Sequence, residues 1–357
     1  MVKLVHGGDI YSAKQRIEGD VLDFSANINP LGMPPAVKQA AQGAIENCVH
    51  YPDPICRELT AALAEKLRIP TNWLLFGNGA ADLIFRLVYG IKPNKALLPG
   101  PTFAEYEAAL SAASCKIEYY FLKEENGFQV DEGFIEAVGS SQPDLVFLCN
   151  PNNPTGQVVE KPFLRRLLHT MATMENQPLL LLDECFNDFL DQGSQYTMAD
   201  ELANFPNLII LKAFTKMYAM PGLRLGYSLC ANKGVNQAIA AAGQAWGVSI
   251  PAQAAGLQAL KEEGFPQKTR EYIGRQKAIL RACLEEQGFI VYGSQANYLF
   301  FKVPKNLAFG EKMEKRGILV RSCANYHGLG EQFYRIAVKN EQENARFVEA
   351  VSRIFAE

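Results

Sequence analysis

The sequence predicts an α/β protein, with a large three-layer α/β/α domain built on a mostly parallel sheet and a smaller α+β part. Three observations predict it. Short apolar runs recur along the first 250 residues, several of them unbroken rather than alternating. Amphipathic stretches of helical period separate those runs. After about residue 250 the pattern changes to a long helical stretch followed by closely spaced strand-like runs. Unbroken apolar runs mark strands covered on both faces, and strand–helix alternation marks parallel crossovers.

In chain order, the strand candidates are Trp73–Phe76, Ala96–Pro99, Ile117–Phe121, Leu145–Cys149, Leu179–Leu182, Leu208–Leu211 and Gly226–Leu229. Helical candidates between them include Ala80–Tyr89, Phe103–Ala113 and Lys161–Glu175. Beyond Ser249-Ile250-Pro251 a helix is expected to about Glu286. Strands are then expected at Phe289–Tyr292, Tyr298–Phe301, Ile318–Arg321 and Phe333–Val338, before a last helix. The expected division is a large domain over residues 34–250, and a small one made of residues 1–33 and 251–357.

Bulk properties narrow the function. The chain has 357 residues, 48% of them hydrophobic, which is ample for a large core. A net charge of −3 with no basic run makes nucleic acid and acidic membrane surfaces poor partners. No apolar run approaches the ~20 residues of a membrane helix, and the N-terminal Met1–Gly8 lacks the apolar stretch of a signal peptide. Eight scattered cysteines form no Cys-x-x-Cys pair, and the histidines lack metal-ligand spacing. Reduced thiols, a cytoplasmic location and no metal are the expectation.

Chemistry-bearing residues gather after the apolar runs, where ligands collect in such sheets. Gly77-Asn78-Gly79-Ala80-Ala81-Asp82 follows a strand and opens a helix, so its free amides suit a phosphate. Taken alone, any tight strand–helix turn looks similar. Phe103 follows Gly100-Pro101-Thr102; it could stack on a ring or simply fill core. Asn150-Pro151-Asn152-Asn153-Pro154-Thr155-Gly156 is an ordinary loop or a rigid frame aiming the Asn153 amide. Asp183 ends a run of leucines, where a carboxylate needs a partner: a cap, an ion pair or a cationic ligand. Lys216 follows Thr215 in a mostly apolar stretch, and Arg224 lies eight residues on. An isolated lysine there would be an exposed solubilising residue. An amine, an acid, an amide and a guanidinium together are what pyridoxal 5'-phosphate (PLP) needs.

This ordered set resembles the fold-type I PLP enzymes of the aspartate aminotransferase superfamily, from about residue 6 to the C-terminus. The resemblance implies that Lys216 is the Schiff-base lysine, and that Asp183 and Asn153 contact the pyridine nitrogen and ring oxygen. Gly79, Ala80, Ala81, Thr215 and Arg224 would surround the cofactor phosphate, with Phe103 against the ring. Tyr51 would reach the phosphate from the other subunit of a homodimer. Two subfamilies are similar, the histidinol-phosphate aminotransferases and the threonine-phosphate decarboxylases of cobalamin biosynthesis. His6-Gly7-Gly8, Asp23–Gly32, Phe103-Ala104-Glu105-Tyr106 and Arg321–Leu329 resemble the decarboxylases. So does Phe186, where the aminotransferases usually carry a tyrosine. Asp9 and Ala213 depart from the pattern; Ala213 stands where a serine would bind phosphate, so weaker cofactor retention is expected.

The resemblance implies decarboxylation of L-threonine O-3-phosphate, with His6, Asn27, Arg321 and Arg335 as a polar cradle dominated by the substrate phosphate. The alternative is an aminotransferase acting on histidinol phosphate or a related amino acid. A PLP-binding sensor domain of a regulator would need a DNA-binding segment, and no basic helix is present. A cofactor-free homologue is disfavoured by the intact lysine, acid and arginine.

Overall fold

The computed structural model describes residues 6–17, 19–304 and 307–356. Met1–Val5, part of the stretch read as lacking a signal peptide, lies outside them. The strands in chain order are β1 (Leu22–Asp23), β2 (Leu74–Asn78), β3 (Lys95–Gly100), β4 (Lys116–Phe121), β5 (Leu145–Cys149), β6 (Leu179–Asp183) and β7 (Leu208–Ala213). They continue as β8 (Leu225–Leu229), β9 (Ile290–Tyr292), β10 (Tyr298–Lys302), β11 (Ile318–Leu319), β12 (Arg321–Ser322) and β13 (Phe333–Ala337).

A seven-stranded sheet runs in the order β2-β8-β7-β6-β5-β3-β4. Only β8 is antiparallel to its neighbours. The carboxyl ends of β2, β3, β5, β6 and β7 therefore share one edge, and β8 begins at that same edge.

The apolar runs divide by the two-residue period of a strand. Leu97, Val146, Leu148, Leu180, Leu182, Leu208 and Ile210 face one core. Ala96, Leu98, Leu145, Phe147, Leu181, Ile209 and Leu211 face the other. Helices Arg57–Leu67, Lys161–Ala172 and Ile250–Ala259 cover the first face through Leu59, Leu63, Leu164, Leu167, Ala252 and Ala255. Helices Ala80–Ile91 and Ala104–Ala112 cover the second through Leu83, Ile84, Leu87, Ala109 and Leu110. Burial on both faces explains why these runs lack polar alternation.

A four-stranded sheet, β12-β13-β10-β9, carries a separate core with Ile273, Leu280, Leu299, Phe301, Ile336 and Phe347. The N-terminal segment lies beside it, with β1 and β11 forming a separate two-stranded sheet. Leu22 and Asp23 pair in parallel with Ile318 and Leu319, and Ala337 N–H donates to the Phe24 carbonyl at 2.8 Å.

Two expectations are corrected. The stretch to Glu286 is two helices, Ile250–Ala259 and Gly264–Glu286, because the chain turns between them. Ile318–Arg321 is not one strand: Ile318–Leu319 pairs with β1 while Arg321–Ser322 pairs with β13.

Gly226 on β8 lies directly under the turn that opens helix Ala80–Ile91. A Cβ there would sit 2.5 Å from the Ala80 nitrogen and 2.8 Å from the Gly79 carbonyl carbon. Since backbone cannot yield cheaply, Gly226→Ala is expected to cost about 1–3 kcal/mol by overpacking. Chemical denaturation measures that loss, and wild-type stability in the variant would show that the turn is not held by β8.

Candidate active site

The shared sheet edge opens into a cavity of about 220 Å³. Lys216, Asp183, Asn153, Thr215, Arg224, Phe103, Ala80 and Ala81 line it, together with His6, Asn27, Arg321 and Arg335. Gly79 is not one of its lining residues; it adjoins Ala80 and Arg224, with φ at +84° and a Cβ position only 2.3 Å from Arg224 Nη2. Only glycine lets the guanidinium settle over that turn. Tyr51 does not line the cavity of its own chain; it is exposed and stacks on Trp246, ring centroids 4.5 Å apart.

Asp183 is buried at the end of β6. Its Oδ2 accepts the Tyr106 hydroxyl at 2.7 Å and its Oδ1 accepts Cys185 N–H at 2.9 Å. Burial pushes its carboxyl pKa up, and those two donors oppose the shift. No cation forms an ion pair with Asp183 among the described residues. A protonated ring nitrogen would supply the missing charge.

Two lysines four residues apart differ by environment. Lys212 is buried with Glu184 Oε2 at 3.5 Å and Asp188 Oδ1 at 3.2 Å, and these carboxylates hold its ammonium charged despite burial. Lys216 faces the cavity. Burial, then the Arg335 and Arg224 charges, bring its pKa down to about 8, against an opposing pull from Asp183. The native amine thus releases its proton before the unfolded one does. Its contribution to stability rises with pH from about 8 to the ordinary 10.5.

One end of the cavity suits a phosphate. Helix Ala80–Ile91 begins at Gly79 without any side-chain cap, so its first amides are free for a ligand. The Arg224 guanidinium and Thr215 complete that end. Arg224 holds a left-handed backbone, φ 58°, just before β8. Ala213 also lines the cavity, offering a methyl and no hydroxyl.

The other end is a second cationic wall. Arg335 is buried and donates to Asn153 Oδ1 through Nη1 and to the Ser25 carbonyl through Nη2, the latter at 2.7 Å. Arg321 donates to Asn325 Oδ1 at 2.8 Å and lies 5.2 Å from the Tyr326 ring centre. His6 Nε2 pairs with Glu105. Asn27 Oδ1 and Arg335 Nε are buried without a hydrogen-bond partner in the protein. Buried polar atoms left so are expected to meet a ligand or water.

The residues present therefore fit PLP: an acid lacking a cation, a depressed amine and an uncapped helix start beneath an arginine. Sequence reasoning missed several supports. Tyr106 delivers its hydroxyl from the first turn of helix Ala104–Ala112. Tyr298 donates to the Asn152 carbonyl at 2.6 Å and lies 5.6 Å beneath Arg335. Asn29 Nδ2 donates to the Met217 carbonyl at 2.6 Å and to Thr269 Oγ1 at 2.9 Å. Tyr106 stands between Glu105 and Glu107 and Asn29 in an asparagine-containing turn, so nothing local marks either as buried.

Residues 19–351 match the family described as aminotransferase class I and II, and the chain belongs to that family. It is 35% identical to threonine-phosphate decarboxylase of Salmonella typhimurium, covering 98% of this chain and 96% of that protein. It is 31% identical to histidinol-phosphate aminotransferase 1 of Cupriavidus pinatubonensis, covering 94% of this chain and 89% of that protein. Among solved structures, the histidinol-phosphate aminotransferase from Clostridium acetobutylicum superposes with a TM-score of 0.86 at 29% identity, covering 94% of this chain and 99% of that one.

The two lysines give a test that needs no substrate. In cofactor-free protein, trace acylation mapped by mass spectrometry is expected to show Lys216 reacting with an apparent pKa of about 8, while Lys212 stays protected. Equal reactivity of both would remove the electrostatic distinction between them.

Proposed function

We propose that this member of the class I and II aminotransferase family is a PLP-dependent lyase. It would decarboxylate L-threonine O-3-phosphate to (R)-1-amino-2-propanol O-2-phosphate and CO2, as a step of cobalamin biosynthesis. One observation supports the reading: a single cavity is lined by two sets of groups suited to anions, Ala80 and Arg224 at an uncapped helix start, and His6, Arg321 and Arg335. The first set would take the cofactor phosphate and the second the substrate phosphate.

When bound, PLP supplies an electron-poor ring that takes up the electron pair left as a bond to the substrate α-carbon breaks. Asp183 keeps the ring nitrogen protonated, because its buried carboxylate is short of a cation. Asn153, fixed by Arg335, contacts the ring oxygen. Lys216 is anchored near Phe186, its Nζ 5.9 Å from that ring, and a depressed pKa lets it carry a proton to the α-carbon.

The choice of bond depends on what grips the substrate. A strong arginine clamp on the substrate carboxylate would stabilise the charged ground state and oppose CO2 loss. In this cradle the arginines serve the phosphate. Arg335 already spends donors on Asn153 and Ser25, which ties it to the wall. Phe186 packs edge-on against Tyr298, centroids 5.1 Å apart, and offers no hydroxyl to the ring oxygen. The second reading is an aminotransferase acting on histidinol phosphate, favoured by similarity to the Cupriavidus and Clostridium proteins.

The functional unit would be a homodimer in the cytoplasm. Support comes from the exposed apolar residues Ile45, Val49, Tyr51 and Ile55 within one stretch of chain, and from exposed Trp246, which stacks on Tyr51. Tyr51 would cross that face to the partner's site. The domain division at residues 34 and 250 belongs to the same proposal.

PLP-loaded protein given L-threonine O-3-phosphate and no keto acid is expected to release CO2 and aminopropanol phosphate catalytically. Conversion of the cofactor to its amine form by histidinol phosphate, without CO2 release, would assign the protein to the aminotransferases. Lys216→Ala is expected to abolish both activity and the visible absorbance of the lysine-linked cofactor. For Arg321→Ala, KM for the phosphorylated substrate should rise ~100-fold, with PLP affinity little changed, as loss of a charge-assisted contact. Weakened PLP binding with unchanged KM would remove Arg321 from the cradle.

A further inference from the structure

We propose that Glu105 is a positioning residue that aims His6 at the substrate phosphate, and so helps select a phosphorylated amino acid; this rests on the substrate reading above. His6 is held from two sides. On one, its Nε2 pairs with the Glu105 carboxylate. Glu105 sits in the first turn of helix Ala104–Ala112, the same turn that delivers Tyr106 to Asp183, so its backbone is fixed by the cofactor end of the cavity. The His6 ring also lies 5.6 Å from the Phe103 ring. On the other side, Gly7 packs so closely that a Cβ would stand 2.3 Å from the Ser25 carbonyl oxygen. Gly8 N–H donates to Ser25 Oγ at 2.7 Å, and the Ser25 carbonyl itself accepts from Arg335. His6 is thereby tied to the arginine of the cradle and to the acid of helix Ala104–Ala112.

The imidazole has two nitrogens, and Glu105 commits one. Among the described residues Nδ1 has no hydrogen-bond partner, and it is the nitrogen left for a ligand. A fully ionised phosphate can only accept, so a ring that bridges Glu105 and such a phosphate donates from both nitrogens and lies as a cation between two anions. A substrate with a neutral group in that place gives the ring only Glu105. The carboxylate thus converts an otherwise mobile, part-exposed histidine into a directed cationic donor, as an outer carboxylate orients a metal-binding histidine.

Plain electrostatics predicts the opposite sign. A carboxylate close to an anion pocket repels phosphate, and neutralising it should tighten phosphate binding. Glu107 provides the comparison: it lies in the same helix turn and pairs with His327 at 3.0 Å, not with His6.

The test uses PLP-loaded protein and inorganic phosphate, with the dissociation constant read from the His6 imidazole NMR signal. Glu105→Gln, which keeps the shape of the side chain, is expected to weaken phosphate binding about tenfold, the scale of one charge-assisted hydrogen bond. Glu107→Gln is expected to stay within about twofold. KM for L-threonine O-3-phosphate should rise with the phosphate constant in Glu105→Gln while kcat changes less than about threefold, as for lost uniform binding. Unchanged or tighter phosphate binding in Glu105→Gln overturns the proposal. So does an equal weakening in Glu107→Gln, or a wild-type His6 signal that ignores phosphate. If wild-type protein releases no CO2 but phosphate binding still depends on Glu105, the substrate reading falls and the positioning role stands.

Discussion

The Asp183 carboxylate is the constraint around which the rest of the site is arranged. Holding a carboxylate away from water costs several kcal/mol even after relaxation, whereas a hydrogen bond to a charged group returns only about 1.5–3 kcal/mol. The Tyr106 hydroxyl and the Cys185 amide therefore offset much of the cost and leave a remainder. That remainder is the driving force for placing a cation beside Oδ1 and Oδ2. The surrounding structure serves this one group: β6 carries it to the sheet edge, helix Ala104–Ala112 aims a tyrosine at it, and Tyr106 stacks on Phe147 at 4.9 Å to hold that aim.

The same accounting explains why Lys216 and not Lys212 faces the chemistry. Lys212 has two carboxylates nearby, so burial does not discharge it. Lys216 has guanidinium groups nearby, and burial plus like charge make its free amine accessible near neutral pH. A cavity with several cations and one buried acid draws anions at both ends. That charge balance is what the proposed pair of phosphorylated guests, cofactor and substrate, would answer.

Much of this was legible in the sequence, for a definite reason. Strands covered on both faces read as unbroken apolar runs, and the residues after them fall on one edge whatever the exact pairing. Lys216, Asp183, Asn153 and Arg224 could therefore be placed together from spacing alone, and Gly79 with them. Contacts between distant segments left no such trace. The His6–Glu105 pair joins residues far apart in sequence, and nothing local to either residue indicates the other. Ile318–Arg321 looked like one strand because both pieces are apolar or extended; a change of partner at Val320 is set by β1, far upstream. The break between helices Ile250–Ala259 and Gly264–Glu286 spans the helix formers Leu260–Glu263, and the signal passed over was Gly264 and Pro266 just beyond them. Tyr51 shows the limit most plainly: it lies outside the cavity of its own chain, so its proposed role rests on a second subunit.

Asn29 shows how the two sheets are made to answer to one site. It lies in the N-terminal segment, a few residues after β1, which pairs with β11, yet it is buried against the lysine turn. Its backbone N–H donates to the Lys216 carbonyl at 3.3 Å, and its amide donates to Met217 and to Thr269 on helix Gly264–Glu286. Ser25, four residues earlier, carries the contact to Arg335 and Gly8. One short segment therefore touches the backbone of the Lys216 turn, Arg335 and the His6–Gly8 stretch. Because buried amides are costly to leave unpaired, any displacement of the smaller sheet that pulled Asn29 away would strand several donors at once. Lys216 and Arg335 are then held in a fixed relation by hydrogen bonds that neither element could make alone, and the geometry of the cavity follows from where that segment is anchored.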